Sequence, residues 1–189
     1  MFALFFIGGG LKATLCHKVM KEILIGIIIY FSMFGCSDSV SPENDNIIYF
    51  NSFEAESDFD GWEGISQDNW KSDVPNAGSK KSVFISGGCV MPHARYVFNS
   101  KLPQGYYTIE CWGKAYPKTF GGAVLLKYQI NENYNYSFVN IEFRDSVWTH
   151  KISDTLFFDK SYNLTIEMNA GGFIASAMLI DNLIVKKIK

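Results

Sequence analysis

The chain has 189 residues, 48% hydrophobic and 19% charged, with 16 Phe, 10 Tyr and 4 Trp. That length is about one domain, and the composition excludes a disordered, collagen-like or charged coiled-coil chain. A formal net charge of −2 excludes nucleic-acid binding driven by bulk electrostatics, and the aromatic content favours strands as core builders.

Residues 1–35 read as a leader, not as part of the fold. Ile23–Phe34 is an uncharged apolar run, preceded by Lys18 and Lys21 and followed by Gly35 and Cys36. A basic start, a short hydrophobic stretch and a small residue at the cut make a signal peptide; the stretch is shorter than the roughly 20 residues of a membrane span. Met33-Phe34-Gly35-Cys36 resembles a bacterial lipoprotein signal, with Phe34 where that family usually has a smaller residue. The resemblance implies cleavage before Cys36, diacylation of its thiol and a lipid-anchored place at the outer membrane of the cell envelope, exposed at the surface. An ordinary secretory signal and an uncleaved anchor helix are the alternatives. Residues 1–19 hold a second apolar run, Phe2–Ile7, and read as an upstream extension of a frame that starts at Met20. Residues 36–46 are polar and form a tether; Ser37-Asp38 and the acids after them resemble the surface-export signals of Bacteroidetes lipoproteins.

Residues 47–189 read as strands. In order these are Ile47–Phe53, Ser82–Ser86, Arg95–Asn99, Tyr106–Ala115, Ala123–Ile130, Tyr136–Phe143, Thr149–Phe158, Tyr162–Met168 and Met178–Lys187. Turn chemistry separates them, as at Leu102-Pro103-Gln104-Gly105 and Asn131-Glu132-Asn133. No amphipathic helical stretch interrupts them, so the expected class is an all-β sandwich or barrel. Glu56–Gly78 is too long for a hairpin loop. It carries Trp62, Trp70 and six acids, and either holds function or caps one end of the sandwich with its indoles.

Of the four cysteines, Cys16 falls in the extension and Cys36 is assigned to the lipid. Cys89 and Cys111 either pair in an oxidising compartment or remain two separate buried thiols. No Cys-x-x-Cys and no Cys/His cluster occurs, which leaves no basis for a zinc site.

Several short motifs arrive in a recognisable order: Phe53-Glu54, Asp60-Gly61-Trp62, Gly78-Ser79-Lys80-Lys81-Ser82-Val83, Gly105-Tyr106-Tyr107-Thr108-Ile109, Trp148 and Ile180-Asp181-Asn182-Leu183. Together they resemble the jelly-roll carbohydrate-binding modules of galactose-binding-like type over nearly the whole of Ile47–Lys187. The resemblance implies a jelly-roll sandwich of two antiparallel sheets and a non-catalytic glycan-binding function. It also implies one structural Ca²⁺ tying the first strand to the last. Glu54 and Asp181 match its carboxylates, and carbonyls near Ser52, Ala77 and Lys80 would complete the six to eight oxygens that calcium takes. Trp62 matches the family's Gly-Trp and is expected inside; Trp148 is expected to seal the core.

A sugar ring needs an aromatic platform with polar groups to orient it. Alternation along Tyr106–Ala115 places Tyr107, Ile109, Cys111, Gly113 and Ala115 on a core face, and Tyr106, Thr108, Glu110, Trp112 and Lys114 on the opposite one. Trp112 is the expected platform, with Glu110 and Lys114 orienting the ligand; the alternative is that a loop covers Trp112. Tyr116 and Phe120 in one loop, and Tyr134 and Tyr136 near another, are expected to rim the same cleft. Signals for catalysis are missing: His17, His93 and His150 are scattered, no Gly-x-Ser-x-Gly elbow occurs, and neither Glu54 with Glu56 nor Glu142 with Asp145 makes a convincing hydrolase pair. The rival to glycan binding is a structural or protein-interaction sandwich, an adhesin or assembly component with a protein partner.

Overall fold

A computed structural model describes residues 46–188 apart from 76–77, 90, 132–133 and 172–174. The leader, Cys36 and the tether up to residue 45 lie outside the described residues, and so does Ala77.

Period-two alternation turns these runs into twelve strands. They are β1 (Ile47–Asn51), β2 (Trp62–Glu63), β3 (Trp70–Lys71), β4 (Ser82–Ser86), β5 (Ala94–Val97), β6 (Gly105–Ala115), β7 (Gly122–Gln129), β8 (Tyr136–Phe143), β9 (Thr149–Ile152), β10 (Leu156–Phe158), β11 (Leu164–Asn169) and β12 (Ala177–Lys187). All pairings are antiparallel. One sheet has seven strands in the order β10-β6-β12-β4-β3, with β1 also on β12 and β9 also on β6; the other has five, β2-β5-β11-β7-β8. The expected all-β sandwich of two antiparallel sheets is the observed fold.

Two expectations need correcting. Thr149–Phe158 is two strands, β9 and β10, both on the same edge of β6. Between them Ser153 keeps the ladder closed: its N–H donates to the Ile109 carbonyl, and its hydroxyl accepts the Ile109 N–H at 3.1 Å. The 56–78 segment is not open loop. It holds β2, β3 and two short 3-10 turns, Glu56–Phe59 and Gln67–Asn69, because Phe59, Trp62 and Ile65 drop into the core. Trp70 packs on its edge, and its indole N–H donates to the Phe53 carbonyl at 2.6 Å.

The inner faces meet as expected. Tyr107, Ile109 and Cys111 of β6 and Met178 and Ile180 of β12 face Val124 and Leu126 of β7 and Leu164, Ile166 and Met168 of β11, all essentially without exposure. The two cysteines do not pair: Cys111 is a buried free thiol and Cys89 an exposed one. Trp148 is half-buried and stands outside the core. Gly113 is a point of close approach between the layers. A Cβ there would lie 2.6 Å from the Phe143 ring of β8. Overpacking of this kind costs about 1–3 kcal/mol. Gly113→Ala is expected to lower the unfolding free energy by about that amount in denaturant titration. Combined with Phe143→Leu, the total loss should be smaller than the two single losses added; strict additivity would refute the contact.

Candidate functional site

The face of β6 opposite the core is not an open row. Glu110 is buried, and its Oε1 accepts the Lys186 ammonium at 2.6 Å. Lys114 is buried too, with Nζ 2.7 and 2.8 Å from the two oxygens of Asp73. The Trp148 indole N–H donates to the same carboxylate at 3.0 Å. Burial works against the Asp73 charge, but the Lys114 and Trp148 hydrogen bonds outweigh it and hold the carboxyl below its ordinary value. Trp112 is half-buried, with its ring centroid 5.4 Å from that of His150. Tyr116 is exposed but leans edge-on against Phe84, 5.0 Å between centroids. Glu110 and Lys114 were expected to orient a ligand; each is instead committed to an ion pair, because Lys186 and Asp73 neutralise charges that the packed sheet withdraws from water.

The five-stranded sheet presents the opposite situation. Its outward positions are Arg95 and Val97 on β5, Thr165, Glu167 and Asn169 on β11, Ala123, Leu125, Lys127 and Gln129 on β7, and Tyr136, Phe138, Asn140 and Glu142 on β8, set side by side by the registers. Two clefts open on this face. One, of about 530 Å³, is lined by Phe120, Met91, Leu125, Asn140, Arg144 and Asn169 among others. The other, of about 410 Å³, is lined by Tyr136, Arg95, Val97, Thr165, Lys101 and Lys160 among others. Between them the Lys127 and Glu167 side chains form a largely buried ion pair of 2.7 Å. Phe120 is 64% exposed and Phe138 56%, so this face offers aromatic surface to solvent.

Of the loop aromatics expected at a cleft, Phe120 lines one. Tyr134 is 76% exposed and lines neither of these clefts. Tyr136, expected as an aromatic near a loop, opens β8 and lines the second cleft; Phe138, Asn140, Arg144 and Arg95 escaped the sequence reading. The signal was present: sorting Tyr136–Phe143 by alternate residues separates Tyr136, Phe138, Asn140 and Glu142 from Val139, Ile141 and Phe143.

The two calcium-matched carboxylates lie within electrostatic reach of each other. β12 pairs β4 through Ala177–Ile180 and β1 through Leu183–Lys186, and its register breaks between Asp181 and Ile184. There Asn182 takes a left-handed φ of +48°. Asp181 has no exposure; its Oδ1 accepts the Asn182 N–H at 2.7 Å, while its Oδ2 is buried without a partner. Burial pushes the Asp181 carboxyl up to about 6 against the opposing pull of the nearby Ser79 hydroxyl and the Asn182 N–H, and the neighbouring Glu54 charge adds to the rise. Glu54 follows β1, and its Oε1 accepts the N–H groups of Lys80 and Lys81 at 2.6 and 3.0 Å. The Lys81 ammonium donates to the Glu54 carbonyl at 3.2 Å. A hollow of about 370 Å³ at this corner is lined by Glu54, Gly78, Ser79, Lys80 and Asn182. Among the described residues no group of three or more Asp, Glu, His or Cys could hold a metal, so a cation here would rely on backbone and hydroxyl oxygens beside the two carboxylates.

No family model and no curated protein matches the sequence. Solved structures do match. The CBM22-1–GH10 modules of the Clostridium thermocellum endo-1,4-β-D-xylanase 10B, complexed with xylohexaose, superpose with a TM-score of 0.55 at 15% identity, over 77% of this chain and 29% of that one. The fold is similar to that of family 22 carbohydrate-binding modules. The CBM22-1 xylan-binding domain of Paenibacillus barcinonensis Xyn10C gives a TM-score of 0.54 at 14% identity, covering 76% of this chain and 96% of that one. The C-terminal family 22 module of the Clostridium enzyme gives 0.55 at 12% identity, covering 77% and 96%. This chain thus spans nearly the full length of the isolated modules and under a third of the modular enzyme.

Proposed function

We propose that the domain binds glycans without catalysis, on the outward face of the five-stranded sheet. The observation that carries this reading is the pairing of exposed rings, Phe120 and Tyr136 in the two clefts and Phe138 on β8 between them, with amide and hydroxyl groups, Asn140, Asn169 and Thr165, on one sheet face. A sugar stacks its C–H face on a ring and spends its hydroxyls on amides. The fold shared with modules that bind xylan or were solved with xylohexaose supports the same reading. The test is a glycan array probed with the full chain, followed by titration of the best ligand. Phe120→Ala and Phe138→Ala are each expected to weaken binding about tenfold or more with little change in melting temperature, since both rings are exposed; Trp112→Ala should leave affinity intact. A silent array would move the function to the opposite face. There Phe50, Ile152, Tyr106 and Phe157 are exposed and would suit a protein partner.

We further propose that Glu54 and Asp181 hold a structural Ca²⁺. The residues fit the ion in one respect that protein groups leave unmet: the Asp181 Oδ2 is buried and unpartnered, and a hard cation satisfies such an oxygen. When bound, calcium would supply charge compensation to Glu54 and Asp181. In chelator the sign follows from linkage. The native carboxyl titrates near 6 and the unfolded one near 3.8, so the native state binds more protons between those values, and the contribution of Asp181 to stability falls as pH rises through that window. Asp181→Asn should abolish that fall. At pH 7, calcium should raise the melting temperature of the parent chain and not that of Asp181→Asn. Identical melting of the parent chain in chelator and in excess calcium would refute the ion.

A further inference from the structure

The second cleft of the five-stranded sheet has a charge that the rest of the chain does not. The protein as a whole carries a net −2, yet Arg95, Lys101 and Lys160 all line this one concavity of about 410 Å³, and no carboxylate is among its described lining residues. None of the three makes an ion pair within the described residues. The nearest carboxylates are committed or turned aside. Glu167, opposite Arg95 in register, is paired with Lys127 at 2.7 Å. Asp159 accepts the Tyr162 hydroxyl at 2.8 Å. Glu63, opposite Arg95 on the other side, is exposed and forms no pair with it.

Arg95 is the informative member. It is half-buried, and its Nε is enclosed with no hydrogen-bond partner. A buried donor of this kind costs stability until an acceptor reaches it, and a guanidinium prefers a planar anionic acceptor that takes two N–H groups at once. Hydroxyl donors on Ser161 and Thr165 stand in the same lining, beside the Tyr136 ring, which carries the Lys127 ammonium 4.3 Å from its centroid. The set combines a ring surface, hydroxyl partners and unpaired cations around an unsatisfied guanidinium. Strand β7 runs from Ala123 in the first cleft to Gln129 in the second, roughly 20 Å at about 3.4 Å per residue, the reach of a short oligosaccharide.

We propose that this cleft is a subsite for an acidic sugar unit, whose uronate carboxylate or sulfate ester is taken by Arg95 with Lys101 and Lys160. This rests on the glycan reading of the same sheet face and narrows it: the preferred ligand is an anionic polysaccharide, with uncharged units lying toward Phe120.

The test compares acidic glycans with their charge-neutralised counterparts on the full chain. Oligogalacturonate and its methyl ester form one arm, and a uronate-free sulfated galactan and its desulfated form the other, so that carboxylate and sulfate are distinguished. The acidic member of at least one arm should bind about tenfold or more tighter, and that margin should shrink as salt rises from roughly 0.05 to 0.5 M because the contacts are charge-assisted. Lys101→Gln with Lys160→Gln changes only exposed side chains and should narrow the margin. Arg95→Gln should remove it. Equal binding within both arms, or a margin that the variants do not touch, would overturn the acidic subsite and leave the glycan reading standing. If neither arm binds while neutral xylan or galactan does, the subsite is likewise overturned. If nothing binds at all, both proposals fall together.

Discussion

The register break in β12 is the constraint on which the seven-stranded sheet depends. Before it Met178 and Ile180 point into the core; after it Leu183 and Val185 do. An unbroken strand keeps a period of two and would have driven Asn182 inward in place of Leu183. The bulge inserts the extra residue, hands the strand from β4 to β1 and keeps the core dry. The cost is concentrated at Asp181, a carboxylate with no exposure and one bare oxygen, and at Asn182, held at a positive φ. Glu54 and the 78–81 segment converge on the same point, since they end and begin the two strands that exchange there.

Once the inner faces are committed to one another, function has only the outer faces left, and these have opposite character. On the seven-stranded sheet Asp73 reaches across to Lys114, takes the Trp148 indole as a second donor, and uses its own carbonyl to accept the Ser82 hydroxyl at 2.6 Å. Three elements are thereby locked over one end of β6. On the five-stranded sheet the central Lys127–Glu167 pair lies flat within the surface, and clefts remain on either side of it. Replacing one partner of such a buried pair strands the other charge, so the pair also fixes the floor between the two clefts.

The strand pattern was legible because both sheets obey alternation where their strands are long. β8 coincides with the run read from the sequence, β6, β7 and β12 each begin one residue before theirs, and the core face of β6 is the one its apolar residues dictate. What escaped was set by tertiary contacts. The two-residue strands β2 and β3 are too short to show a period, and exist because Phe59 and Trp62 are drawn into the core. The break between β9 and β10 is masked by Ser153, whose side chain replaces a ladder partner. For the site, a mixed polar and aromatic row identifies an outward face but not whether that face is covered. The partners of Glu110 and Lys114 come from residues 76 and 41 positions away in sequence, Lys186 and Asp73, and alternation carries no information at that range. The open row on β8 has the same sequence character as the covered row on β6; only the fold distinguishes them.

The most direct test of this account is to map the bound glycan on the protein. Amide chemical shifts of the labelled full chain would be followed during titration with the tightest-binding glycan. The account predicts perturbations along β5, β7, β8 and β11, centred on Lys127, Asn140 and Thr165 and extending to Phe120. Perturbations confined to Trp112, Tyr116 and His150, with the five-stranded sheet silent, would contradict it.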